Sequence, residues 1–191
     1  MLIAISGSQG SGKSTILNEL KKQKYNVIER KTSRSILSDW NVSLDEVNSD
    51  VELSLKFQEE IINRKHNDEF SAVISPQIWF TERTFIDVSV YNIINLAKYN
   101  EHNAFINQYH EKCVRMTQTY SLVFYLQGGL FSVQNDNVRG INMHYSKLVD
   151  MMMLEHLTNS VLPDRLIKVN TPSLESRILQ VTTFTNSKLG A

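Results

Sequence analysis

The chain has 191 residues, 41% of them hydrophobic, and balances 20 Lys plus Arg against 20 Asp plus Glu. This suits one globular domain with a substantial core and excludes broad electrostatic attraction to nucleic acid or anionic membrane. The single cysteine, Cys113, excludes an internal disulfide framework and a cysteine-based zinc site.

No apolar run approaches the ~20 residues of a membrane span, and Met1 to Ile5 is too short and uncharged for a signal peptide, so a cytoplasmic address is expected. Short apolar runs alternate with longer helix-period segments, the rhythm of βαβ units on a parallel sheet. In chain order, the first strand is expected at Leu2 to Ser6, followed by a helix from Lys13 to Gln23 and a strand from Asn26 to Glu29. A basic stretch comes next: residues 21 to 34 hold Lys21, Lys22, Lys24, Arg30, Lys31 and Arg34 against Glu29 alone. Residues 39 to 60 reverse the sign, with seven acids against Lys56. A helix is expected from Asp50 to Asn67, entered through Asn48-Ser49-Asp50. Pro76 breaks the third strand region, so the strand proper is read at Gln77 to Thr81, with Ala72 to Ser75 as its lead-in. Helices at Phe85 to Lys98 and His102 to Met116, a strand at Ser121 to Leu126, a helix at Ser146 to Val161 and a strand at Leu166 to Asn170 complete the series. Residues 127 to 145 are glycine-containing and polar and read as a surface loop, and residues 171 to 191 as a loosely held tail.

The turn after the first strand carries the sharpest signal. Gly7, Gly12, Lys13 and Ser14 match G-x-x-x-x-G-K-[ST] between an expected strand and an expected helix. Small residues there let the backbone N–H groups of Gly7, Ser8, Gln9, Gly10, Ser11, Gly12, Lys13, Ser14 and Thr15 curl around a polyphosphate, with the helix dipole aimed at the same point. Lys13 is expected to reach the β- and γ-phosphates of ATP, and the Ser14 hydroxyl to ligate a bridging Mg²⁺. The fold this implies is α/β, a P-loop NTPase fold with a five-stranded, parallel, doubly wound sheet and a short lid. A guanine-nucleotide switch would carry Asn-Lys-x-Asp, a string the chain lacks. A motor or AAA-type ATPase would want an apolar strand ending in Asp, a catalytic Glu after it and coupling elements, and none is evident.

The second signal is "IWFTERTFID", where the strand Ile78 to Phe80 runs into Thr81, Glu82, Arg83 and Thr84. In a doubly wound sheet this strand end converges on the same crevice as the phosphate loop. On these residues the chain resembles the small nucleoside and nucleotide kinases of the P-loop class. Its "ERT" is similar to the acidic-Arg-small triplet of deoxynucleoside and thymidylate kinases, though thymidylate kinases carry Asp where Glu82 stands. "FTERTFIDVSVY", which continues to Asp87 and Tyr91, is similar to the kinase domain that phosphorylates ribosylnicotinamide. The resemblance spans residues 1 to 170. It implies that Glu82 holds a Mg²⁺-bound water or positions the acceptor, that Arg83 clamps phosphate oxygens, and that Asp87 contacts substrate. It also implies that Glu29 is the base for the acceptor hydroxyl, and that Arg139, within the 127 to 145 lid, closes over the phosphates. Arg30 and Arg34 suit an acceptor that is already anionic.

Three functions are therefore open. The first is an ATP- and Mg²⁺-dependent kinase acting on a nucleoside or nucleotide. The second is a phage-type kinase phosphorylating 5-hydroxymethyluracil within DNA, with DNA as the partner. The third is an NTP-hydrolysing switch or ATPase. No membrane partner is expected, and a homodimer stays open. The five histidines show no ligand spacing, so no transition metal is assigned. Met143 and Met151 to Met153 read as packing residues, and Trp40, Phe57 and Trp79 as core residues that could stack on an acceptor base.

Overall fold

A computed structural model describes residues 1–29, 32–129 and 142–189, the side chains of Thr32 and Leu189 excepted; Arg30 and Arg139 lie outside the described residues. Strands β1 (Leu2–Ser6), β2 (Asn26–Val27), β3 (Trp79–Glu82), β4 (Leu122–Leu126) and β5 (Leu166–Val169) form one parallel sheet in the order β2-β3-β1-β4-β5. The expected α/β class and strand number are thus borne out.

Alternation along the strands builds two cores. On β1, Leu2 and Ala4 face one layer while Ile3 and Ile5 face the other, and all four are buried. The first layer contains α4 (Val51–Val73), α5 (Phe85–Leu96), α6 (Asn103–Thr117) and α7 (Met143–Ser160), through Ile62, Phe85, Tyr109, Cys113, Val149, Met153 and Leu157. The second contains α1 (Lys13–Lys22) and α8 (Leu174–Leu189), through Ile16, Leu17, Leu20 and Val181. β1 and β4 are buried on both sides, as a parallel sheet covered by helices requires. Cys113 is a packing residue, and its burial pushes the thiol pKa up to about 12.

Several expectations are corrected. Ala72 and Val73 do not lead into a strand: α4 continues to Val73 because Glu69 and Ala72 face the core, and it stops just short of Ser75-Pro76, where helical backbone is disfavoured. Within the segment read as a loosely held tail, residues 174 to 189 form α8, with Arg177, Val181 and Thr185 fully buried. α7 begins at Met143, inside the expected 127 to 145 loop. Met143 and Met151 are exposed, and only Met153 of that series is buried. Two short helices, α2 (Thr32–Trp40) and α3 (Leu44–Ser49), were not anticipated. α3 starts with a capping box in which Ser43 and Glu46 exchange hydrogen bonds, and a small cluster of Ile36, Val47 and Phe57 ties both helices to α4. Trp40 lies edge-on to Phe57 within that cluster, and Trp79 packs against the larger core.

Candidate active site

The carboxyl ends of β1 and β3 meet at one place because these strands are hydrogen-bonded neighbours, with Ile5 opposite Glu82. β1 ends at Ser6, and the loop from Gly7 to Gly12 turns back into α1. Gly7, Gly10 and Gly12 have φ of 140°, 76° and 87°. A Cβ on Gly7 would also clash with the Leu126 carbonyl, so this glycine allows the loop to press against the end of β4. Lys13 is buried, and its Nζ donates to the Gly7 carbonyl at 2.9 Å, the Ser8 carbonyl at 2.7 Å and Ser11 Oγ at 3.3 Å. The ammonium thus lies over its own loop.

Ser14 and Thr15 are exposed at the first turn of α1. The Ser14 hydroxyl donates to Glu82 Oε2 at 3.4 Å, which unites the two motifs of the sequence in one spot. Hydroxyl and carboxylate oxygens are hard donors of the kind Mg²⁺ takes, so the pair fits that ion.

Arg83 adopts φ +69°, a left-handed conformation that costs a non-glycine residue about 1 kcal/mol or more. Its N–H donates to the Ile5 carbonyl at 2.8 Å, and its carbonyl accepts from Lys65 Nζ at 2.8 Å. The guanidinium lies 5.1 Å from the Tyr91 ring centre and 3.9 Å from Asp87 Oδ1, and Nη1 is buried without a hydrogen-bond acceptor among the described residues. Burial works to lower its pKa, yet Tyr91, Asp87 and Glu82 together hold it above the ordinary arginine value. A firmly charged donor with an unused N–H stands beside the Glu82 strand end.

Lys65 itself was missed in the sequence. It is fully buried, forms an ion pair with Glu69, and lies over the rings of Phe85 and Tyr120. Glu69 also accepts from Thr81 Oγ1 at 2.6 Å and Tyr120 OH at 2.9 Å. The i,i+4 spacing of Lys65 and Glu69 on α4 marks an ion pair, but not its burial, because the further partners come from Thr81 of β3, Arg83 and Tyr120.

Asp87, expected among substrate contacts, is instead fully buried and occupied by protein donors. As N3 of α5 it closes a capping box with Thr84, accepting from Thr84 N at 2.8 Å, and it accepts from Ser6 Oγ at 2.7 Å and Gly7 N at 3.4 Å. Its chemistry is to fasten the start of α5 to the root of the phosphate loop.

The acceptor side is less gathered. β2 ends at Val27, so Glu29 stands two residues beyond the strand, exposed and ion-paired with Lys21 of α1. Arg34 lies exposed on α2.

A family model described as an AAA domain matches residues 2–177. Among solved structures, the deoxyadenosine kinase of M. mycoides with bound dCTP is similar with a TM-score of 0.71 at 19% identity, covering 98% of this chain and 100% of that one. The NadR protein in complex with NR is similar with a TM-score of 0.72 at 14% identity, covering 100% of this chain and 50% of that one, so this chain spans half of NadR. At these identities the likeness is one of fold. No curated protein sequence matches.

Proposed function

We propose that this chain, which belongs to the AAA-domain family, is a phosphotransferase that moves the γ-phosphoryl group of ATP to a nucleoside or nucleotide. The observation that carries this reading is the meeting of Ser14, on the phosphate loop, with Glu82, at the end of the neighbouring strand, 3.4 Å apart. The whole-chain likeness of fold to a deoxyadenosine kinase supports a small-molecule acceptor.

In this reading the acceptor oxygen attacks the γ-phosphorus in line, the bond to the β,γ-bridging oxygen breaks, and ADP leaves with the electron pair. The hydroxyl proton passes to a carboxylate, for which Glu29 is the candidate once it releases Lys21. Lys13 exchanges the Gly7 and Ser8 carbonyls for phosphate oxygens, and Arg83 turns its unused N–H toward the transferring group. Ser14 and Glu82 are the residues that would hold Mg²⁺, which when bound neutralises charge on the phosphate chain. Arg34, with Arg30, is the candidate contact for an anionic acceptor, and Arg139 the candidate lid arginine.

A second reading, ATP hydrolysis with a conformational output, is favoured by the family's description as an AAA domain. Labelled ATP offered with separate pools of nucleosides, monophosphates and hydroxymethyluracil-containing DNA tests all of these. Label in a nucleoside or monophosphate is expected. Label only in free phosphate would favour hydrolysis, and label in DNA a polymer acceptor. Lys13→Ala is expected to lower transfer by about 10²- to 10³-fold with an unchanged circular dichroism spectrum; undiminished turnover would reject the assignment.

A further inference from the structure

One fully buried arginine stands outside both motifs. Arg177, on the first turn of α8, donates from Nη1 to the Ser11 carbonyl at 2.6 Å, from Nε to the Thr171 carbonyl at 2.6 Å, and from Nη2 to the Gln127 carbonyl at 3.3 Å. These acceptors belong to the phosphate loop, the exit of β5 and the exit of β4. Three segments that leave the sheet at the same edge are thereby joined through one planar group.

The fork geometry of a guanidinium suits such a junction, which the point charge of an ammonium cannot reproduce. The Ser11 contact bears on anion binding because the Ser11–Gly12 peptide is planar and trans, so a carbonyl turned toward Arg177 sends the Gly12 N–H the opposite way. Donation from a charged group to that carbonyl also polarises the peptide and strengthens its N–H as a donor. The β4 exit meets the loop at a second point: Gly128 is so close that a Cβ there would clash with Ser8 Oγ.

We propose that Arg177 is a positioning residue for triphosphate binding, holding the Ser11–Gly12 peptide with its amide turned into the phosphate cradle and tying that cradle to the β4 exit. This rests on the phosphotransferase reading insofar as the cradle must take a triphosphate. It assigns to α8, through one side chain, a share in the binding site otherwise built from residues 7 to 15.

The test is titration calorimetry of the full chain with MgATP, inorganic tripolyphosphate and the acceptor found by the labelling assay. Arg177→Lys is expected to weaken MgATP and tripolyphosphate by about tenfold or more while leaving acceptor affinity unchanged. Equal binding by the variant and the wild type would overturn the role of Arg177 alone. Equal losses for tripolyphosphate and acceptor would also overturn it, since they indicate general damage. A wild type that binds neither MgATP nor tripolyphosphate would sink the phosphotransferase reading together with this one. Should the variant fail to fold, the Arg177 Nε–H resonance of the wild-type protein decides. A signal protected from solvent exchange that moves on addition of MgATP is expected, and one that exchanges freely or stays still would overturn the proposal.

Discussion

Ser14 Oγ and Glu82 Oε2 lie 3.4 Å apart although 68 residues separate them in the chain. Their proximity follows from the parallel pairing of β1 with β3, which brings both strand ends to one level. Glu82→Gln keeps the shape and removes the charge. Transfer is expected to fall about 100-fold, with the Mg²⁺ concentration for half-maximal rate moved upward. Initial rates across a magnesium series check this, and an unchanged magnesium dependence would remove Glu82 from the metal.

Glu29 is exposed and held by Lys21, which makes it separable from the fold. Glu29→Gln is expected to change the unfolding free energy by no more than about 0.5 kcal/mol. If the carboxylate takes the acceptor proton, kcat drops about 10²- to 10⁴-fold with little change in the KM for ATP. Steady-state kinetics with both substrates varied decide it; an unaltered kcat assigns the base elsewhere.

The Lys65–Glu69 pair is buried beneath Arg83 and reaches its carbonyl. Removing one member leaves an uncompensated charge in the core. Lys65→Met is expected to cost about 3–5 kcal/mol, whereas the double variant Lys65→Met, Glu69→Leu recovers much of that. Urea denaturation of the single and double variants measures it. The double variant should still transfer phosphate poorly, because Arg83 has lost the ammonium that anchors its left-handed backbone. Wild-type activity in the double variant would deny the anchor any role.

His110 and His156 bring α6 and α7 together, their rings edge to face with centroids 4.8 Å apart, and His110 Nδ1 shares a 2.8 Å hydrogen bond with Ser89 Oγ of α5. Burial lowers both pKa values below the usual 6.5, with His156 adding to the effect at His110 while Glu111 and Glu155 oppose it. Below 6.5 the unfolded chain therefore binds more protons than the folded one. The contribution of the pair is complete above the unfolded value and is lost as pH falls through the folded values. Thermal unfolding followed from about pH 7 to pH 5 should show a decline that His110→Gln, His156→Gln makes shallower. Identical slopes would reject the assignment.

The loop after β1 was legible in the sequence because its glycines advertise the backbone conformation they permit. The central strands β1 and β4 were legible for a similar reason: each is a short apolar run buried on both faces. Some readable signals were passed over. Ser43 followed by Glu46 is a capping box and marked α3, and Leu174, Ile178 and Val181 repeat at helical spacing in the segment read as a tail.

Other features depend on distant partners. Thr84 followed by Asp87 is a local capping box, and only packing reveals that Ser6 and Gly7 also donate to that carboxylate. Lys65 on α4 and Arg177 on α8 take decisive partners from far along the chain: the fold brings the Arg83 carbonyl to one and the Ser11 carbonyl, 166 residues away, to the other. The sequence by itself thus determined where a glycine-rich strand-to-helix loop would form, since short-range backbone geometry is written in residue type. Tertiary structure alone decided which charges are held inside the protein and what they align, because a buried charge is stable only where distant segments supply its partners.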